Sequence, residues 1–168
     1  AHNLNLVATF GDVAPDASSN IVIEITNGGL ATGFGYLGVV ELRPSARLVG
    51  GPAPQPGEAL TMTFQAPTYP GELVVTGTSL GLGPTLYGPH MFRVDFDQLF
   101  GATFGRPSSV FVGYLSTLDP TGAAQTSIAL PPASVLRSLT FHTVSLVADA
   151  SAPGGVAVVS NPWSMRVR

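Results

Sequence analysis

Apolar and polar residues alternate with a period of two in many segments of this chain. Residues 2–10 are the first example, and the side chains on their apolar face are Leu4, Leu6, Ala8 and Phe10. Successive side chains of a β-strand point to opposite faces of a sheet, so this pattern predicts strands that bury one face. No segment of comparable length shows the period of an amphipathic helix.

Glycine and proline separate the alternating segments along the whole chain. The 20 glycines and 15 prolines disfavour helix interiors and mark turns. We expect a loop or one short helical turn over 98–107 and a bend at 161–162. The predicted strands are 2–10, 20–26, 36–42, 59–65, 72–78, 91–97, 109–117, 123–130, 138–148 and 155–167. Their spacing predicts an all-β fold, an antiparallel β-sandwich or jelly roll of about nine or ten strands, in a single domain over 1–168.

The chain carries few charges. Only 10% of its residues are charged, whereas soluble proteins carry about 25%. Apolar residues make up 45%, and the formal net charge is -3. Such a surface is either solvated by uncharged polar groups or covered by a partner. The seven basic residues are all arginine and are scattered, which argues against nucleic acid or an anionic membrane as a partner.

Cysteine is absent, which excludes disulfides, thiol nucleophiles and thiolate metal sites. No apolar run approaches the ~20 residues of a membrane span, so we expect none. The sequence begins Ala1-His2-Asn3, the kind of start that signal-peptide cleavage leaves. We therefore expect an extracellular or cell-surface protein.

Several short motifs lie after residue 56. They are Gly-Glu-Ala-Leu-Thr-Met-Thr at 57–63, Pro-Gly at 70–71, Thr-Gly-Ala-Ala at 121–124, Leu-Thr-Phe-His at 139–142, and Ala-Pro-Gly-Gly-Val-Ala-Val-Val-Ser-Asn at 152–161. With them, residues 56–168 resemble a Gly/Pro-rich β-sandwich module found near the C-termini of secreted planctomycete-type bacterial proteins. The resemblance implies a sandwich fold and an extracellular location, and it implies no catalytic residue.

Two pairs of carboxylates are candidate calcium ligands. Asp95 and Asp97 share a face of the predicted strand 91–97, and paired carboxylates serve calcium binding or glycoside hydrolysis. With Arg93 on the same face, the alternative is a solvated row of ion pairs. Asp12 and Asp16 lie in one loop and form the second candidate. We expect no other cofactor.

Aromatic residues suggest a sugar-binding alternative. Tyr36, Tyr69, Tyr87 and Trp163 could form a stacking platform for polysaccharide, although core packing is the commoner role of such rings.

The histidines His2, His90 and His142 have no neighbouring partner that would complete a metal site. No Gly-x-Ser-x-Gly motif occurs, but members of a Ser-His-Asp site can converge from distant positions. We expect no enzyme, with a secreted hydrolase as the third alternative.

The functional hypothesis is a structural subunit of an extracellular filament, sheath or surface layer, whose partners are copies of itself. Residues 1–11 would act as an exchangeable strand that completes a neighbour's sheet, with Leu4, Leu6, Ala8 and Phe10 filling its pockets. Such a head-to-tail contact can propagate without closing. The alternatives are that this strand pairs within its own domain, and that the protein is a carbohydrate- or surface-binding accessory module.

Overall fold

The computed structural model describes residues 46–168. They contain eleven strands, one short α-helix and two 3-10 turns. The strands are β1 (Arg47–Gly50), β2 (Ala59–Gln65), β3 (Leu73–Ser79), β4 (Thr85–Tyr87), β5 (His90–Phe92), β6 (Phe111–Val112), β7 (Leu115–Thr117), β8 (Ala123–Ala129), β9 (Thr140–Ala148), β10 (Val156–Val159) and β11 (Trp163–Arg166); the helix is α1 (Gln98–Thr103), and the turns are Ser134–Leu136 and Pro153–Gly155. The predicted strands 2–10, 20–26 and 36–42, and the exchangeable segment 1–11, lie outside the described residues.

Every strand pair is antiparallel, and the two larger sheets confirm the predicted all-β sandwich. The first sheet has the order β1-β2-β8-β6. In the second sheet, β9 pairs with β3 along one edge and with β10 and β11 along the other, while β7 pairs with β3. A separate two-stranded hairpin consists of β4 and β5. No helix among the described residues is long and apolar enough to cross a membrane.

In β2, the apolar positions of the alternating sequence are the side chains that the core buries. Leu60, Met62 and Phe64 are at most 2% exposed, and Thr61 between them faces solvent. The strand begins and ends where the alternation predicts, at residues 59 and 65. Full burial of each apolar side chain contributes about 1.5–3 kcal/mol. These side chains join the main core, which lies between the two sheets.

The second sheet buries both of its faces. Along β3, Val74, Thr76 and Thr78 face the main core. On the opposite face a second core, including Val144, Leu146 and Val156 of β9 and β10, packs under α1 and the hairpin. Gly77 also lies on that face, and a Cβ there would stand 2.5 Å from the Phe100 ring. Glycine at this position therefore lets α1 approach the sheet.

The predicted strand 109–117 is wrong in one respect, because it is broken at Gly113. This residue has a φ of 73°, and a Cβ on it would lie 2.5 Å from the Gln125 carbonyl oxygen. The chain crosses there from β6 in the first sheet to β7 in the second. Between these strands Tyr114 turns into the main core, where burial raises the pKa of its phenol far above the usual value.

Besides this break, the prediction differs from the structure at one strand end, in the continuity of one strand and in two missed strands. The predicted strand 91–97 ends at Phe92, because Asp97 caps α1 and the chain must turn before it. The predicted strand 155–167 divides into β10 and β11 at the expected bend, 161–162. Strands β1 and β4 were not predicted, since four and three residues give too short an alternation to recognise.

We predict that Gly77→Ala lowers the free energy of unfolding by about 1–3 kcal/mol, the usual cost of overpacking a core. The Phe100 ring would have to move away from the new methyl group. The matched control is Gly101→Ala in α1, where a Cβ would meet nothing within 4 Å; alanine should raise stability there by up to about 1 kcal/mol. Urea unfolding measures both, and equal effects of the two substitutions would contradict the packing argument.

Candidate functional site: an aromatic groove and an apolar hairpin

Five aromatic rings form a continuous series beside the second sheet. Tyr87 and Phe92 meet edge to face with centroids 6.3 Å apart, and Phe92 and Phe96 do so at 5.3 Å. Phe96 stacks on Phe100 at 4.4 Å with an interplanar angle of 8°, and Phe100 stacks on Phe104 at 4.9 Å. Such pairs contribute about 0.5–1.5 kcal/mol each beyond burial. We call these five residues the ring series.

The cap of α1 holds the ring series in place. The Asp97 carboxylate accepts hydrogen bonds from the backbone amides of Phe100 and Leu80, each at 2.7 Å, and from the Ser79 hydroxyl at 3.0 Å. Partial burial acts to raise the pKa of Asp97, but these hydrogen bonds outweigh it and hold that pKa below the usual value. One side chain thus fixes the start of α1 against the end of β3.

A groove of about 500 Å³ opens beside the ring series. Its walls include Leu146, Val156 and the glycines 154–155, and Arg106 lies at the groove. Tyr87 and Phe96 keep 52% and 43% of their surface exposed, whereas Phe92 and Phe100 are buried. We call this feature the aromatic groove. Its lining is mostly apolar, so it suits an apolar ligand or partner.

The outer face of the β4–β5 hairpin is apolar. Leu86 lies directly opposite Met91, and these side chains are 71% and 53% exposed. Leu80 and Leu82, in the loop before β4, are also more than half exposed. Segment 80–92 contains no aspartate, glutamate, lysine or arginine. The hairpin is anchored by the His90 ring, whose Nε2 lies 3.2 Å from the Pro153 carbonyl oxygen. We call the Leu86–Met91 pair the hairpin face.

The structure does not place Asp95 and Asp97 on one strand face, because both residues follow the end of β5. Asp97 caps α1, and its oxygens accept the hydrogen bonds described above. The Asp95 carboxylate packs against the bare backbone of Gly81 and Gly83. Within residues 46–168, no three His, Asp or Glu side chains come together to hold a metal ion. The other calcium candidates, Asp12 and Asp16, lie outside the described residues.

The predicted sugar-stacking residues occupy different parts of the described structure. Tyr69 and Trp163 pack against the main core, and Tyr87 belongs to the ring series. No two of these three form a ring pair in the described part of the chain, and Tyr36 lies outside it. Trp163 does line a second groove of about 450 Å³, together with Arg166 and Arg168.

His142 shares a hydrogen bond with the Ser164 hydroxyl, 2.7 Å from its Nδ1. The two residues are direct cross-strand neighbours on β9 and β11. Burial lowers the pKa of His142, and the negative charge of Asp95 opposes this only in part. Among the hydrogen bonds of residues 46–168, none joins the Asp95 carboxylate to the His142 ring. The described contacts therefore show a paired serine and histidine, without the third hydrogen bond of a catalytic triad.

The ring series was not predicted, although the sequence contains a signal for it. Phenylalanine occurs at every fourth position over 92–104. Read as strand alternation, the first half of this segment gave the wrong boundary at 97. The spacing of four does not mark one continuous helix either, because α1 covers only Gln98–Thr103. Instead, the spacing of four brings successive phenylalanine rings into contact along a turn and the short helix that follows it.

A scan of the chain against models of protein families gave no match, and a search of curated proteins gave none. The resemblance of residues 56–168 to a secreted β-sandwich module thus stays a prediction.

We predict that stability falls as the pH is lowered through the range below 6.5, the usual pKa of an unfolded histidine. Because the pKa of folded His142 is lowered, the unfolded state binds a proton more readily and protonation favours unfolding. Urea unfolding at pH 7.5 and pH 5.5 measures the difference, and His142→Gln should reduce it. An unchanged difference in the variant would show that His142 is not its source.

Proposed function

We propose that this protein is a structural subunit of an extracellular filament, sheath or surface layer, and that its copies contact one another through the hairpin face. The observation that supports this most directly is the exposed Leu86–Met91 pair within the uncharged segment 80–92. Exposed apolar patches of this kind mark protein interaction sites. The low charge of the whole chain agrees with a surface that is covered in use.

A second copy fits this surface better than an unrelated partner does. In the described residues, β4 and β5 pair only with each other, so the backbone of each strand has an unpaired edge. An unpaired edge can receive an identical edge from a second copy in antiparallel pairing. This symmetric pairing would place the two hairpin faces side by side on one surface, because an isologous interface uses one patch on both partners.

The free energy gained by burying the hairpin face limits how tightly two copies can associate. Complete burial of one leucine or methionine contributes about 1.5–3 kcal/mol. Leu86 and Met91 of two copies would together contribute at most about 12 kcal/mol, whereas association costs about 4–15 kcal/mol. The hairpin face alone therefore supports a weak contact. A stable assembly needs a second joint, and we propose residues 1–11 for it, because the predicted strand there would carry Leu4, Leu6, Ala8 and Phe10 on one face.

We predict that the double substitution Leu86→Ser with Met91→Ser weakens self-association at least tenfold, because serine cannot supply the apolar burial. Light scattering after size exclusion, over 1–200 µM protein, measures the dissociation constant, and negative-stain microscopy detects fibres. The matched control is Val135→Ser in the 134–136 turn, since Val135 is 77% exposed and is not part of the hairpin. It should change nothing.

Deletion of residues 1–11 tests the second joint in the same assay. If the deletion abolishes fibres while the hairpin variant only weakens them, both joints contribute to one assembly. If the wild-type protein remains a monomer at every concentration and forms no fibres, the proposed function is wrong.

The groove at Trp163 favours one second candidate, a carbohydrate-binding module. An aromatic ring next to Arg166 and Arg168 is suited to a sugar that carries a carboxylate. We predict that acidic polysaccharides retain the protein in affinity electrophoresis and that Arg166→Gln with Arg168→Gln removes the retention. Neutral polysaccharides serve as the control. If none of the acidic polysaccharides retains the protein, the carbohydrate-binding function is wrong.

A further inference from the structure

The aromatic groove differs from the hairpin face in its chemistry. Among the described residues, its lining contains one cationic side chain, Arg106, and no acidic residue. The remaining wall consists of the ring series, aliphatic side chains and glycines. Apart from Arg106 and the Tyr87 hydroxyl, no side chain in the described part of the wall can donate a hydrogen bond. A sugar would leave most of its hydroxyl groups unpaired there, which is costly.

We propose that the aromatic groove binds a small, planar aromatic molecule that carries one carboxylate. The apolar wall would receive the ring, and the Arg106 guanidinium would pair with the carboxylate. Guanidinium and carboxylate groups match in geometry and can form two parallel hydrogen bonds. The groove, at about 500 Å³, lies in the size range of small-molecule sites, about 300–1,000 Å³.

Phe96 is the residue that orients the ligand. One face of its ring stacks on Phe100 at 4.4 Å, yet 43% of its surface remains exposed. A ligand ring placed on the exposed part would extend the stack that Phe96, Phe100 and Phe104 already form. Aromatic pairs prefer such offset stacking or edge-to-face contacts, so a flat ring gains more from this wall than an aliphatic chain of equal area.

The groove is preformed, which favours binding because little ordering remains to be done. Phe100 is 3% exposed and lies over Gly77, where no side chain competes for the space. Gly105 has a φ of 63°, and a Cβ on it would stand 3.1 Å from the Val75 side chain. This glycine directs the chain from Phe104 to Arg106 while staying close to the sheet. The cap at Asp97 fixes the other end of α1.

This proposal does not depend on the proposed function, because it concerns the aromatic groove rather than the hairpin face. Titration calorimetry of the full chain tests it with two probes, 2-naphthoate and the neutral 2-naphthylmethanol. We expect 2-naphthoate to bind at least fivefold more tightly than the alcohol. Arg106→Gln should remove that preference, and Arg137→Gln, an exposed arginine beside the 134–136 turn, should preserve it.

Substitution of Phe96 tests the stacking. Phe96→Ala should weaken binding of both probes at least fivefold, and Phe96→Leu, which keeps most of the apolar volume, should also weaken it. Circular dichroism melts confirm that each variant is folded. The control Val112→Ala removes an exposed apolar side chain from β6 and should leave binding unchanged.

Three results would overturn the proposal. The first is no binding of either probe at millimolar concentration. The second is equal affinity for the acid and the alcohol, or a preference that survives Arg106→Gln. The third is a Phe96→Ala variant that binds both probes as the wild type does. If this variant also loses self-association, the groove belongs to a contact between copies. The hairpin double substitution should leave naphthoate binding unchanged, so failure of one proposal is distinguishable from failure of the other.

Discussion

The pairing of β3 with β9 is the interaction on which the rest of the structure depends. Seven residue pairs join these strands, and both faces of the pair are covered. Buried hydroxyls specify the register, since Thr76 bonds Ser145 at 2.8 Å and Thr78 bonds Thr143 at 2.9 Å, each directly across the strands. A slip by one residue would exchange the two faces and leave these polar groups unpaired in apolar cores. The hydroxyls thus contribute specificity more than net stability.

Because this sheet has two buried faces, the described residues divide into a sandwich and a covering layer. The sandwich contributes stability through its main core and carries the groove at Trp163, whereas two other exposed features belong to the layer that covers the other face. The hairpin face and the aromatic groove both lie in this layer. The segment between β3 and β6 forms the hairpin and a large part of the groove lining. A rigid sheet that supports short, variable connections is the usual arrangement by which a β-sandwich carries a binding function.

The two proposals use different physical properties of this covering layer. The hairpin has an exposed apolar face, unpaired backbone edges and no charged side chain, which favours a weak contact with a second copy. The aromatic groove is concave and preformed and has a single cation, which favours a small ligand of defined shape and charge. A subunit of an extracellular assembly can carry both, since an assembly contact at the hairpin need not fill the groove.

The sequence by itself determined the fold class, the strand over 59–65 and the bend at 161–162, because these depend on local alternation and on the backbone limits of glycine and proline. It did not determine the end of the strand predicted over 91–97 or the break at Gly113. Both arise from contacts distant in sequence: Asp97 with Ser79, and Gly113 with Gln125. The aromatic groove required the tertiary structure for the same reason. The spacing of four marks Phe92, Phe96, Phe100 and Phe104 as related, but only packing of α1 over Gly77 decides that their rings stack and leave one side open.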